Sequence, residues 1–465
     1  MAENDENNRS NWIIRMYYFS YYSACGSIEP YISLYYHSAL NLNGEVVGWL
    51  GAIHSFTTFL AAPLWGILTD KIGNPFGVVN VNFCLSLLGY IFLMSYSGDR
   101  LWVLSLCTCL ISIVQAPIRP LFDSMVLSNI TDRSSYGRSR LFGTLGFGVG
   151  TSLVGLLRRR GDDVATSTLM KTQDQVSPWL LYNRTKLLLS NIKDDQLPFM
   201  VHLLLSIPAF LAIVAFQRMH VQNQKQQKQT TISSDQREKV ATKSLEDTSE
   251  ETNDDKSPQR TQIRMFLGRN DVLAFFAVTL VLGASTGAIE AFCSLSMQEV
   301  GISKKTIGLF RLISSSASIP MYWFSGNIKT KLGGTENILI LSLVLLAVRF
   351  SLYALMSSVS PFWCAFISEG LRGVVVGLFR STSAVHASNL APSELHSTVS
   401  MLHGAIYQGL GRSMGSIIAG RMQSSIGTSS TFLYFAGLDA FFAVFVAILY
   451  ATLLRESKEN KSKQD

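Results

Sequence analysis

Charge is the first thing this chain is short of. Only 15% of its 465 residues are charged, where a water-soluble globular chain carries about a quarter. That shortage argues against a fold bathed in water on every side. The small basic surplus, a formal +7, is spread over the segments between apolar runs. Such placement follows membrane topology and makes nucleic acid no expected partner. Metal-ligand spacing is lacking too. The six cysteines, Cys25, Cys84, Cys107, Cys109, Cys293 and Cys364, all fall inside apolar runs. Cys107 and Cys109 stand one residue apart with no histidine nearby, which fits no zinc pattern. There is no nucleophile elbow and no phosphate-binding glycine loop. Neither an enzyme, nor a bound cofactor, nor an ATP-driven pump is expected.

Long apolar runs are what the chain has instead. Twelve recur, six between Trp12 and Phe216 and six between Val272 and Leu454. Each approaches the roughly 20 residues that cross a bilayer core of about 30 Å. They show no strict alternation, which excludes a barrel. The expected fold is an all-α membrane protein of twelve transmembrane helices in two six-helix bundles. The polar start, residues 1–11, has no cleavable-signal pattern, so the first helix is read as an uncleaved anchor. The first bundle takes residues 12–216 and the second 263–454; residues 455–465 form a charged tail. Residues 217–262 have few apolar side chains and mixed charge, the composition of a flexible linker.

Cytosolic termini and linker put Arg133, Arg138, Arg140, Lys329 and Lys331 on the cytosolic side, in keeping with the positive-inside rule. Arg158–Arg160 oppose this, but they open a long loop, and long loops translocate largely regardless of charge. Asn183-Arg184-Thr185 in that loop is a candidate glycosylation acceptor, read equally well as unmodified. The expected setting is the plasma membrane or an endomembrane, with the chain a monomer.

The two halves repeat one another. GSIEPYISL at Gly26–Leu34 returns as GAIEAFCSL at Gly287–Leu295, 261 positions later. Gly48, Ile53, Ser55, Gly66, Lys71 and Gly73 return as Gly308, Ile313, Ser315, Gly326, Lys331 and Gly333. Leu145, Gly146, Gly150 and Gly155 return as Leu410, Gly411, Gly415 and Gly420. Glycines alone are common in packed membrane helices, but a doubled glutamate is not. Ordered matches of this kind imply halves related by an axis along the membrane normal.

The stretch Gly66-Ile67-Leu68-Thr69-Asp70-Lys71-Ile72-Gly73 lies between the second and third spans. It resembles the signature of the major facilitator superfamily. Asn74-Pro75 follows where further basic residues are usual, and Thr330 replaces the aspartate in the second half. AAPLWGILTD, APIRPLFDS, YGRSRLFGTLGFGVG and YQGLGRSMGSIIAG resemble the branch that contains lactose permease and nucleoside–proton symporters. The resemblance implies a central cavity lined by the first, fourth, seventh and tenth helices. It also implies movement of a small solute, without naming it.

On those helices stand charges that cost about 2.5–3.5 kcal/mol each to insert. Glu29 lies roughly 10 Å, and Glu369 roughly 12 Å, below the outer ends of their spans at about 1.5 Å per residue. Glu290 sits at a similar depth, with Arg372 one turn beyond Glu369. Three acids and one arginine in one layer suit a proton carrier, since like charges that close do not all stay ionised. Glu29 and Glu290 are the expected proton sites; Glu369 and Arg372 would orient a solute or reset the carboxylates. A static set of ion pairs is the other reading. Pro30 removes the N–H that Gly26 would bond. The freed carbonyl is read either as an acceptor for solute or proton, or as part of a packing kink. Arg119 and Asp123, with Arg380 at the position matching Asp123, suggest an inner gate; capping of their own helix ends is the alternative. Asp70 reads as a conformational latch. The expected function is secondary transport of a small polar solute, with proton-coupled symport foremost and proton-exchange export as a variant. A receptor or scaffold on the same fold is the alternative from another class.

Overall fold

The computed structural model describes residues 2–96, 100–129, 133–157, 195–238, 268–390, 399 and 402–462. The described chain is helical throughout. In the first half, α1 is Ala2–Ile28, extended past a turn by Ile32–Leu34 and a π-helical turn, Tyr35–Ala39. Then follow α2 (Gly44–Ile72), α3 (Pro75–Ser95), α4 in two pieces (Leu101–Gln115 and Ile118–Asn129), α5 (Arg133–Leu157) and α6 (Leu197–Glu238). The second half has α7 (Asn270–Glu299), α8 (Lys304–Lys331), α9 (Thr335–Ala354) and α10 (Pro361–Leu390). A π-helical segment, Ala405–Gly411, leads into α11 (Arg412–Ile426), and α12 is Thr428–Ser462. Among the described residues nine helices are long and apolar enough to cross a membrane. The rest of the twelve, α1, α8 and α11, carry tyrosines and serines, basic residues at both ends, or a π-helical interruption.

Two boundaries differ from composition. Helix α1 starts at Ala2, inside the polar tail, and α6 runs on to Glu238, through the first part of the expected linker. Gln, Lys, Met and Arg dominate that extension. They are sound helix formers, so low hydrophobicity there removes a core without removing the helix.

The duplication is written into the backbone. Asn43 caps α2 by accepting from the Val46 N–H at 3.0 Å, and Ser303 caps α8 by accepting from the Thr306 N–H at 3.2 Å. Left-handed residues precede each cap, Asn41 (φ 52°) and Gly301 (φ 83°), and follow each helix, Gly73 (φ 67°) and Gly333 (φ 78°).

Within each half the repeated glycines do one job. Gly150 of α5 lies against the Ser23 carbonyl of α1, and Gly415 of α11 lies against the Ala284 carbonyl of α7. A Cβ at either would meet backbone, so α1–α5 and α7–α11 pack with almost no space between them. Across the halves, Gly48 of α2 meets Ser416 and Gly420 of α11, while Gly308 of α8 meets Thr151 and Ser152 of α5. Matching bonds seal both seams: Ser416 Oγ donates to the Gly48 carbonyl (3.0 Å), and Ser152 Oγ donates to the Gly308 carbonyl (2.9 Å). Both seams lie on the face that carries the Asn43 and Ser303 caps. That capped face is closed.

Candidate functional site

Helix α1 stops at Ile28 because Pro30 has no N–H to continue it. The last turn closes with the Glu29 N–H on the Cys25 carbonyl at 2.9 Å. The Gly26 carbonyl, freed by Pro30, is not open to a solute. Thr151 Oγ1 of α5 donates to it at 2.8 Å. The same hydroxyl lies 2.9 Å from the Phe147 carbonyl of its own helix, so its proton is shared between the two, and the contact favours the packing reading.

The break leaves Glu29 at the end of a helix, aimed into the space between the halves. Its Oε1 accepts from Arg119 Nη2 at 2.7 Å, and the two side chains are 47% and 43% exposed. Arg119 follows the break at Ala116–Pro117 that splits α4. Its guanidinium lies 5.2 Å from the Tyr22 ring centre and 5.7 Å from that of Tyr21. Arg412, from the other half, interacts electrostatically with Glu29 and with His54 of α2. Glu29 is therefore within electrostatic reach of the second half.

His54 binds through Nδ1 to Ser112 Oγ at 2.8 Å. The Ser112 hydroxyl proton is already given to the Thr108 carbonyl at 2.6 Å. Nδ1 therefore carries the hydrogen, and Nε2 of the neutral ring is an acceptor. Three other histidines, His37, His386 and His403, pack elsewhere. His37 bonds the Leu42 carbonyl, and His386 and His403 lie against the Phe275 ring.

In the second half Glu290 is 15% exposed and Arg372 14%. Arg372 Nε donates to Glu290 Oε1 at 2.5 Å and Nη2 to Oε2 at 3.2 Å, a two-pronged pair. Its Nη1 donates to Ser314 at 3.2 Å. Behind this pair lies a second layer. Arg311 of α8 reaches both Glu290 and Glu369 at 3.3 Å and donates to Cys293 Sγ at 2.8 Å. Glu369 also accepts from Tyr353 (2.7 Å) and lies 3.9 Å from Arg349. Arg349 Nε donates to the Ser368 carbonyl at 3.1 Å.

Several expectations change here. Glu369, expected toward the solute, is wholly buried, because Arg311, Arg349 and Tyr353 enclose it. The acids are not crowded around one arginine. Arg311 and Arg349 enter from α8 and α9, outside the four helices expected to line the cavity. Their spans gave a signal in hindsight, since each is a lone arginine among apolar residues. Arg119, grouped with Asp123, serves Glu29 instead. Asp123 accepts from Tyr18 at 2.5 Å and sits 3.8 Å from Arg140, all within the first half. Arg380 and Asp70 are exposed, and the structure does not bring Arg380 to Asp123. Asn183 lies outside the described residues. A further buried acid went unread: Asp439 of α12, fully buried, accepts from Ser285 of α7 at 2.5 Å. Among the described residues no group of His, Cys, Asp and Glu is arranged to hold a metal ion.

Residues 11–434 match the MFS_1 like family, which decides the lineage. The chain belongs to that family. It is thereby a member of the major facilitator superfamily. Among curated proteins it is similar to the maltose permease of Geobacillus stearothermophilus, 23% identical over 97% of this chain and 96% of that one. It is also similar to the uncharacterized transporter YwbF of Bacillus subtilis, 24% identical over 96% and 94%. Among solved structures the fold resembles that of the nucleoside transporter NupG. The TM-score is 0.68 at 15% identity, over 95% of this chain and 99% of that one. Family and fold agree with the twelve-helix architecture.

Proposed function

We propose that this protein is a secondary transporter that moves a small polar solute by alternating access, coupled to protons. One observation carries the reading: the Glu29–Arg119 pair, its side chains about half accessible at the break of α1, within electrostatic reach of Arg412 of the other half. A glutamate kept in a membrane span at such cost marks a pathway. The contacts between halves on the capped face, with that accessible pair beyond them, fit a carrier whose other face, toward the termini, is the open one. The relatives named for maltose and nucleosides support a small polar solute, in the branch that also resembles lactose permease.

In this scheme residues 12–216 and 263–454 rock against each other about the cleft, in a monomer. Glu29 and Glu290 take and release the proton, each poised on its own arginine. Glu369, with Arg311 and Arg349, fixes the arginine layer that Glu290 works against. Arg380 and Asp123 approach when the termini face closes, and Asp70 latches that closed form. With the termini cytosolic, the observed form faces inward.

The test is uptake into proteoliposomes under an imposed proton gradient. Replacing both Glu29→Gln and Glu290→Gln should abolish accumulation while sparing solute exchange. Full accumulation by the double variant rejects the proton assignment.

A further inference from the structure

The reading above leaves the solute's chemistry open, and the charges around the cleft narrow it. Among the described residues, three glutamates (Glu29, Glu290, Glu369) share this region with five arginines (Arg119, Arg311, Arg349, Arg372, Arg412). Two positive charges are left over. One is dispersed inside the buried layer, where Arg311, Arg349 and Arg372 share two carboxylates. The other is Arg412, and it is localised.

Arg412 has no carboxylate partner among the described residues. Its Nη1 donates to Gln408 Oε1 at 3.3 Å, on its own helix, and its Nε is buried with no acceptor. Glu29 attracts it across the cleft but is already taken by Arg119 at 2.7 Å. Nor can the backbone at Arg412 easily retreat. Its carbonyl lies against Gly287 of α7, and the π-helical segment Ala405–Gly411 ends directly before it. Such segments occur often at functional sites, because one extra residue re-aims the side chains that follow.

An arginine fork matches the two oxygens of a carboxylate or phosphate. Closing the cleft on an unpaired guanidinium strips its hydration with nothing in return. An anion on the guanidinium offsets that cost, so occupancy would license closure. Resting on the transporter reading, we infer that the transported solute carries an anionic group, carboxylate or phosphate, that docks on Arg412 with the Gln408 amide beside it.

The test is counterflow in proteoliposomes with matched solutes: glucose, glucuronate and glucose 6-phosphate, and uridine with uridine 5′-monophosphate. At least one anionic member should exchange more than tenfold faster than its neutral counterpart. Glucuronate against the phosphates separates the two anion sources. Arg412→Gln should lose that exchange, and Arg412→Lys, which keeps the charge without the fork, should restore part of it. Thermal melting of each variant in detergent checks that the fold is kept. Exchange of neutral solutes with no gain for the anions overturns the inference and leaves the transporter standing. So does anion exchange by a folded Arg412→Gln at the parent rate. Absence of exchange for every solute sinks the transporter reading, and this one with it.

Discussion

The glutamates of this chain look alike in sequence and differ in what holds them. Glu369 is wholly buried between Arg311, Arg349 and Tyr353, while Glu29 is 47% exposed on one arginine. Removing one partner of a buried pair leaves an uncompensated charge and costs about 3–5 kcal/mol. A half-exposed pair is worth at most about 1 kcal/mol. Glu369→Gln should therefore lower the melting temperature of the purified protein markedly, and Glu29→Gln should barely move it. Equal melting of the two variants would show that Glu369 is not the structural member of the set. The same contrast explains what the residues disclosed. That Glu29 and Glu290 stand at matching places in the two halves was legible, because the stretches around them repeat. Arg372, expected in the same layer, does pair with Glu290, but the rest of the cluster was not legible. Arg311 and Arg349 stand on spans whose neighbours gave no reason to expect them in one cluster, and long arginine side chains reach inward from helices that do not line the cleft.

Helices were the easiest elements to read and their interruptions the hardest. The repeated glycines pointed to close helix packing without saying which helices meet, and Gly150 and Gly415 fill that role between α1 and α5 and between α7 and α11. Pro30 announced a break in α1, but the taker of the freed Gly26 carbonyl could not be read, because Thr151 lies 125 residues away in sequence. The π-helical segment before Arg412 gave no sign in composition. Nor did the helical extension of α6, since its polar residues serve an exposed helix as well as a coil. The α1 break yields its own prediction. Thr151→Val keeps the shape of the side chain and removes the hydroxyl. The Gly26 carbonyl then loses its side-chain donor inside the bundle, at a cost of about 1–3 kcal/mol. The variant should melt lower than the parent, and Thr151→Ser, which keeps the donor, should recover most of the loss. If valine is tolerated as well as serine, that hydrogen bond does not hold the break.

At the scale of the whole molecule, the rocking scheme proposed above makes the observed form, with both seams closed, one of two states. Gly48 and Gly308 are repeat-related, and each admits the backbone of the opposite half, with hydroxyls of Ser416 and Ser152 closing the contact. A side chain at either glycine can be housed only if the halves separate on that face. Overpacking a tight contact costs about 1–3 kcal/mol, and each 1.4 kcal/mol shifts an equilibrium about tenfold. A clash with backbone, present in one state and absent in the other, therefore moves populations instead of unfolding the chain. The seam can be read directly, because the Glu45 N–H donates to Ser424 Oγ across it at 2.8 Å. In a cysteine-free background, Glu45→Cys with Ser424→Cys should cross-link rapidly through a short thiol reagent. Adding Gly48→Trp should slow that cross-link severalfold and expose the capped face, and Gly308→Trp, on the other seam, should do the same at a distance. That second effect is the discriminating one. If the halves move as rigid bodies, wedging one seam opens both. If only the wedged seam loosens while Glu45 and Ser424 still cross-link at the parent rate in Gly308→Trp, the halves flex independently and the rocking scheme fails.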